Sequence, residues 1–360
     1  MSKAESAIIL GAGLVGRLLA VCLARTGMTV EVYESGNKDG NTSAAYIAAA
    51  MLAPLAESAI TEPSVVNMGI YSLPRWKELV SSLKQHVFFQ QAGTLILWHQ
   101  QDQSEASRFE HILSNRANEM SSLKGPIKLS YDDIKELEPN LSNNLRQGLF
   151  LENEGQLDNR QVLDSLLNEM NTLDIQIHWN SPKNMSDFSD SKSSQWVIDC
   201  RGIGSKQEWP EVRGIRGEVI RLHAPEVNLN RPVRLIHPKY PIYIAPKENN
   251  QFVIGATEIE TEDLSPISVR STLELLSAAY TVHPGFAEAR ILETNTNTRP
   301  TLFDNLPKIE ISSGNRLRIN GLYRHGFMIS PAIVDAAVRL ITENNSELIK
   351  QLNINFMESK

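Results

Sequence analysis

The first 35 residues show a change of hydrophobic period. The unbroken apolar run at 7–10 predicts a short buried strand. Gly11-Ala12-Gly13-Leu14-Val15-Gly16 follows, and apolar positions through Leu18, Leu19, Cys22 and Leu23 continue as a helix. Thr29-Val30-Glu31-Val32-Tyr33 reads as a second strand that ends at Glu34. The spacing is that of a strand-helix-strand unit of a dinucleotide fold.

Further along, 41–57 is rich in alanine and reads as a loop entering a helix that Pro54 interrupts or limits. Helical pattern resumes over 65–84, with strand pattern at 93–98. The polar stretch 100–123 predicts a peripheral helix, and Tyr131-Asp132-Asp133-Ile134 predicts a helix start. A helix at 160–173 is followed by a strand at 174–179. The Ser/Asp-rich segment 186–194 reads as a solvated loop, and 196–200 as a strand running into Gly202 and Gly204. Residues 216–257 are β-rich, with a hairpin turning at Lys247-Glu248-Asn249-Asn250. A helix at 273–280, a strand at 316–320 and a helix at 331–342 complete the pattern, with Gly326 to Ser330 lying just before that helix.

Charge narrows the function. Lys plus Arg is 35 and Asp plus Glu is 42, a net −7, with no basic run. That argues against nucleic acid and membrane surfaces as partners. Cys22 and Cys200 form no CxxC pair or disulfide framework, and 7–24 lacks the basic start and plain apolar run of a signal peptide. The expected location is the cytoplasm. No HExxH, Cys/His cluster or serine elbow occurs, so no metal site is expected.

The glycine run carries chemistry. Gly11 permits a tight turn, Gly13 lets backbone approach a pyrophosphate, and Gly16 lets the helix pack closely on the sheet. The helix start, with Leu14 and Val15, offers free N–H groups and partial positive charge to phosphate oxygens. Glu34, 23 positions after Gly11, suits ribose hydroxyls and repels a 2′-phosphate. FAD and NAD are both favoured over NADP, and this motif does not separate them.

Separated motifs in the rest of the chain do. They are Glu34-Ser35-Gly36, the segment Ala44-Ala45-Tyr46-Ile47-Ala48-Ala49-Ala50-Met51-Leu52-Ala53-Pro54, and Leu137-Glu138-Pro139. Glu154 to Arg160, Ile215-Arg216-Gly217-Glu218, Tyr243 through Thr257, Arg299-Pro300, and Tyr323-Arg324-His325-Gly326 with Ser330-Pro331-Ala332 follow in order. Together they resemble the FAD-dependent oxidases of the D-amino-acid oxidase superfamily, closest to its bacterial glycine oxidase branch, which serves thiamine biosynthesis. The sequence departs from that branch at Ala45 (usually Ser), Ala50 (usually Gly), Thr301 (usually Gly), Leu322 (usually His) and His325 (usually Asn).

The resemblance implies an α/β fold, with a Rossmann-like FAD-binding domain of the GR2 type and an α+β substrate-binding domain on an antiparallel sheet. The expected division is 1–85, 145–215 and 310–360 for the cofactor, and 86–144 and 216–309 for the substrate. It implies non-covalent FAD, since neither cysteine lies in a segment expected to meet the flavin. Gly11, Gly13, Leu14, Val15, Gly16, Glu34, Ser35, Ala44, Ala45, Ala49, Ala50, Met51, Gly202, Gly326, Phe327, Met328 and Ile329 are the expected cofactor contacts. Arg299 is the expected clamp for a substrate carboxylate, with Tyr243 and Arg324 beside it. His325 is given no catalytic role. The implied reaction is hydride transfer from a small amino acid or secondary amine to flavin N5, giving an imine and, with molecular oxygen, hydrogen peroxide. A homo-oligomer is implied. Two alternatives are an oxidase domain for a larger modified amine and a non-catalytic flavoprotein that binds a partner.

Overall fold

The computed structural model describes residues 5–188, 194–237, 241–312 and 315–358. The expected unit forms from Ser6–Leu10, Leu14–Arg25 and Thr29–Tyr33. The two strands pair in parallel, Ser6 with Thr29 through Leu10 with Tyr33, and Gln195–Asp199 flanks the first on its other side. The whole sheet has seven strands in the order Asn355–Glu358, Lys308–Ser312, Arg316–Asn320, Gln195–Asp199, Ser6–Leu10, Thr29–Tyr33, Gln176–His178. Only the pair Lys308–Ser312 and Arg316–Asn320 is antiparallel. Ile8, Ile9 and Leu10 are buried, as a central parallel strand covered on both faces requires. Leu14–Arg25 packs against Asn159–Thr172 and Gly326–Glu343, and Pro63–Ser82 packs on the last of these.

A second sheet of eight strands is mainly antiparallel. Its order is Arg290–Thr301, Arg213–His223, Gln251–Gly255, Ile242–Pro246, Val233–Leu235, Thr94–Leu97, Gly148–Leu151, Ile127–Leu129. The predicted hairpin is present, with Tyr243 opposite Gly255. The helix Val269–Val282 buries Leu275, Ala279 and Val282 in one cluster with Ile220, Leu222 and Ile254 from this sheet. The α/β class with a second, largely antiparallel unit is therefore correct. No helix among the described residues is long and apolar enough to cross a membrane.

Three local expectations are corrected. Pro54 does not interrupt a helix. It opens the short helix Pro54–Glu57 at the first position, where a missing N–H costs nothing. The last long helix begins at Gly326 rather than after Ser330. Pro331 sits inside it and cannot bond the Phe327 carbonyl one turn back. The indole N–H of Trp76 donates to that carbonyl at 2.6 Å, and Ser72 Oγ accepts from the Ala332 N–H at 3.1 Å. Arg290–Thr301 is an unanticipated twelve-residue strand, whose Thr-Asn alternation gives no apolar signal. Of the expected loop 186–194, residues 189–193 lie outside the described part.

Candidate active site

A cavity of about 1080 Å³ lies beyond the carboxyl ends of four strands of the seven-stranded sheet. Its walls take Gly11 after Leu10, Glu34 after Tyr33, Cys200 after Asp199, and Asn320 at the end of its strand. This is where open α/β sheets bind ligands.

At one end the wall is backbone. Gly11 has φ +95°, and a Cβ there would lie 2.8 Å from the Cys200 carbonyl oxygen. Gly16 does not line the cavity; a Cβ on it would sit 1.9 Å from the Gly11 carbonyl oxygen, so its role is close helix–strand packing. A Cβ on Gly13 would meet nothing nearer than Ser43 Cβ at 3.8 Å, and Gly13 faces open cavity with Leu14 and Val15. The Glu34 carboxylate accepts from Ala12 N–H at 2.6 Å, Gly36 N–H at 2.8 Å and Ser35 Oγ at 3.0 Å, and both Glu34 and Ser35 line the wall. Gly202 lines it too, at φ +55°.

The fit to an FAD pyrophosphate rests on two observations. A glycine cradle opens onto the first turn of a helix, and the buried Ser43 hydroxyl in the same wall has no hydrogen-bond partner among the described residues. Ser43 was missed in the sequence, where it sits in a polar triplet ahead of the alanine run. Cys200 lines the cavity at this end, beside Gly11, and burial pushes its thiol up and suppresses the thiolate.

The middle of the cavity is bounded by the alanine segment and the last helix. Ala44, Ala45, Ala49, Ala50 and Met51 line it. Ala50 has φ +53°, a left-handed conformation that glycine adopts more easily. Behind the segment the buried Lys247 Nζ donates to Ala49 O at 3.0 Å, Gln156 Oε1 at 2.9 Å and Leu157 O at 2.6 Å. Gly326, Phe327 and Met328 bring the N-terminus of their helix to the cavity, whereas Ile329 is fully buried in the core and does not reach it. The helix start directs partial positive charge inward.

At the other end the wall is side chains. Arg299 Nη1 donates to Arg216 O at 3.2 Å and Nη2 to Thr257 O at 3.0 Å. A Cβ on Gly217 would lie 2.7 Å from the guanidinium, so a side chain there would push Arg299 out of this position. Among the described residues Arg299 forms no ion pair, and burial together with Arg324 lowers it to about 10, leaving it charged at neutral pH. Arg324 is different. Its Nε pairs with Glu57 at 3.1 Å and its Nη1 with Glu258 at 2.6 Å.

Glu57 is the hub of this end. Its carboxylate accepts from the Tyr243 hydroxyl at 3.2 Å and lies 3.8 Å from Arg234 Nη1 and 3.4 Å from His325 Nδ1. Burial alone would raise its pKa, but Arg324 leads the neighbours that bring it down to about 2. Burial pushes His325 to about 4, so it is neutral at pH 7 and Arg324 supplies the balancing charge. Tyr243 lines the cavity, but its hydroxyl proton goes to Glu57, and its oxygen accepts from Arg234 at 3.2 Å. The structure thus gathers Arg299, Tyr243 and Arg324 at one end, and adds Glu57, Arg234 and Glu258. The signal for Glu57 was a lone acid directly after the apolar run Met51 to Ala56, since a charge buried there must be paired.

Comparison with known proteins gives the class. The model of the DAO family, FAD dependent oxidoreductase, matches residues 6–340. The chain therefore belongs to this family of FAD-dependent oxidoreductases. It is 37% identical over 337 residues to a protein of Rhizobium etli named as a thiamine biosynthesis oxidoreductase, ThiO, covering 93% of this chain and 96% of that one. It is 22% identical over 367 residues to a glycine oxidase of Bacillus licheniformis, covering 96% and 95%. The fold is shared with iminodiacetate oxidase (IdaA) of Chelativorans sp. BNC1, at a TM-score of 0.81, 18% identity and coverage of 98% of this chain and 100% of that one.

Proposed function

We propose that this oxidoreductase acts on a small amino acid or secondary amine, with FAD held non-covalently and molecular oxygen as the final acceptor. The observation that carries the reading is Arg299, a charged guanidinium facing the cavity with no carboxylate of its own. Its two carbonyl bonds orient it without neutralising it, so three of its five N–H groups stay available for a planar substrate carboxylate.

FAD, when bound, accepts the hydride from the substrate Cα. The glycine turn, Leu14, Val15 and Ser43 would hold its phosphates, and the alanine segment with Gly326, Phe327 and Met328 would flank its ring. Arg299 would fix the substrate by its carboxylate, which converts a bimolecular encounter into a positioned one. Tyr243 and Arg324, tied to Glu57, would shape the wall around the amine. The relative named as a thiamine biosynthesis oxidoreductase supports a role in that pathway.

The test is spectroscopic. The purified protein should show flavin bands near about 370 and 450 nm, and acid precipitation should release the colour into the supernatant. Glycine or sarcosine without oxygen should bleach the 450 nm band, and air should restore it with release of hydrogen peroxide. A colourless protein would overturn the cofactor assignment, and a flavin that no small amino acid bleaches would overturn the substrate class.

A further inference from the structure

The arginine end holds two guanidinium groups that face the cavity, Arg299 and Arg324, and they are not equivalent. Arg299 bonds only backbone carbonyls, whereas Arg324 bonds two carboxylates, Glu57 and Glu258. Glu57 is buried and held by several partners. Both carboxylates line the cavity, but Glu258 retains 34% side-chain exposure against 9% for Glu57. Residues Thr257 and Glu258 are adjacent, so one short segment fixes Arg299 through its Thr257 carbonyl and neutralises Arg324 through its Glu258 side chain.

We propose that Glu258 is a charge filter: by neutralising Arg324 it leaves Arg299, among the described residues, as the one cation at this end open to a substrate carboxylate, and it restricts the site to substrates that carry a single carboxylate. The proposal rests on the amino-acid reading above and deepens it. A substrate with a second carboxylate, such as an acidic amino acid or a dicarboxylic secondary amine, brings that group toward Arg324. There it must displace Glu258 or sit beside it unpaired, and like charges at such separation disfavour each other strongly in a partly desolvated site. A substrate with one carboxylate meets Arg299 and leaves the Arg324 pairs intact.

The test uses the FAD-loaded protein and two inert ligands, acetate and malonate, read as dissociation constants from perturbation of the visible flavin band at pH 7.5. In the wild type, malonate binds no more tightly than acetate. In Glu258→Gln the ratio of the malonate to the acetate dissociation constant falls at least tenfold. Glu258→Asp retains the charge and keeps the ratio within threefold of wild type. Anaerobic reduction gives the same contrast, with the efficiency of iminodiacetate relative to glycine rising at least tenfold in Glu258→Gln. An unchanged ratio in Glu258→Gln overturns the filter. If that variant does not retain FAD, the wild-type ratio decides, and malonate binding more than tenfold tighter than acetate overturns the proposal. Reduction by glycine with no change in the ratio defeats the filter alone. No response to any carboxylate and no reduction by any amino acid defeats the amino-acid reading and the filter together.

Discussion

At the glycine end of the cavity the chain is shaped by atoms it lacks, and at the arginine end by side chains it gathers. Gly11, Gly13 and Gly16 fall within six consecutive positions. Glu57, Arg234, Tyr243, Glu258, Arg299 and Arg324 span most of the chain and meet only because the eight-stranded sheet, the helix Pro54–Glu57 and the turn before Gly326–Glu343 converge. The first end depends on local backbone geometry that one motif can specify. The second depends on tertiary placement and on electrostatic pairing, so a change at one residue alters the charge state of its neighbours.

The sharpest break in the comparison lies within the glycine end. Gly16 and Gly13 belong to one motif but answer to different constraints. A Cβ on Gly16 would sit 1.9 Å from a backbone oxygen that cannot move without the strand. Gly16→Ala should therefore destabilise the fold itself, by at least about 3 kcal/mol, with or without FAD. A Cβ on Gly13 meets no protein atom nearer than 3.8 Å. Gly13→Val should retain the apo fold by circular dichroism and bind FAD at least about a hundred-fold more weakly, because its side chain takes the space of the pyrophosphate. Equal loss of apo stability in both variants would show that the cavity face of Gly13 has no ligand role.

The same contrast explains what the sequence revealed. The strand Ser6–Leu10, its glycine turn and Glu34 were legible because strand period, helix period and glycine spacing lie side by side. At the other end, Arg299, Tyr243 and Arg324 were reached through family resemblance, since a lone arginine in a Thr/Asn stretch looks like a surface residue. The strand that carries Arg299 pairs with Arg213–His223 along its length, yet its sequence shows no apolar alternation because it is the edge strand of its sheet and most of its residues are exposed or half-buried. Glu57 and Glu258 were not singled out, because nothing local in a carboxylate says which arginine it will meet. The start of the last helix was misplaced for another reason. Pro331 looks like a boundary until Trp76 and Ser72, far away in sequence, satisfy the groups it leaves unpaired.

A second prediction tests whether the arginine end binds substrate or only supports itself. Arg299→Leu removes a charge-assisted, planar contact in a site partly closed to water. The expected loss is on the order of 2–5 kcal/mol, or roughly 30-fold to several thousand-fold in the rate constant for flavin reduction over the dissociation constant. Arg299→Lys should recover only part, because an ammonium cannot offer the planar fork. FAD content should stay near wild type, since the glycine end holds the cofactor. The measurement is anaerobic stopped-flow reduction by small amino acids and by their decarboxylated amines. Equal loss for both sets would make Arg299 structural.

The smallest expected effect concerns how the arginine end tolerates two buried acids of opposite behaviour. Glu57 is held ionised by Arg324, but Glu154, which supports the same helix, has no comparable partner. Its Oε1 accepts from the Ala56 N–H at 2.7 Å, and the buried Thr94 hydroxyl lies beside the carboxyl. Burial pushes its carboxyl up to about 7, against an ordinary value of 4.5. Between those values the folded protein holds a proton that the unfolded chain has released, so this group's contribution to stability is complete below about pH 4.5 and is lost as pH rises through about 7. The shift corresponds to at most about 3 kcal/mol by pH 8. Glu154→Gln keeps an acceptor for Ala56, supplies an N–H where Oε2 lies and cannot ionise. The variant should match wild type in melting temperature near pH 4 and exceed it at pH 8, with the difference opening across about pH 4.5–7. Parallel pH profiles for the two proteins would mean that Arg234 and the surrounding dipoles already hold Glu154 as a carboxylate, and that both acids at this end are ionised supports of the same kind.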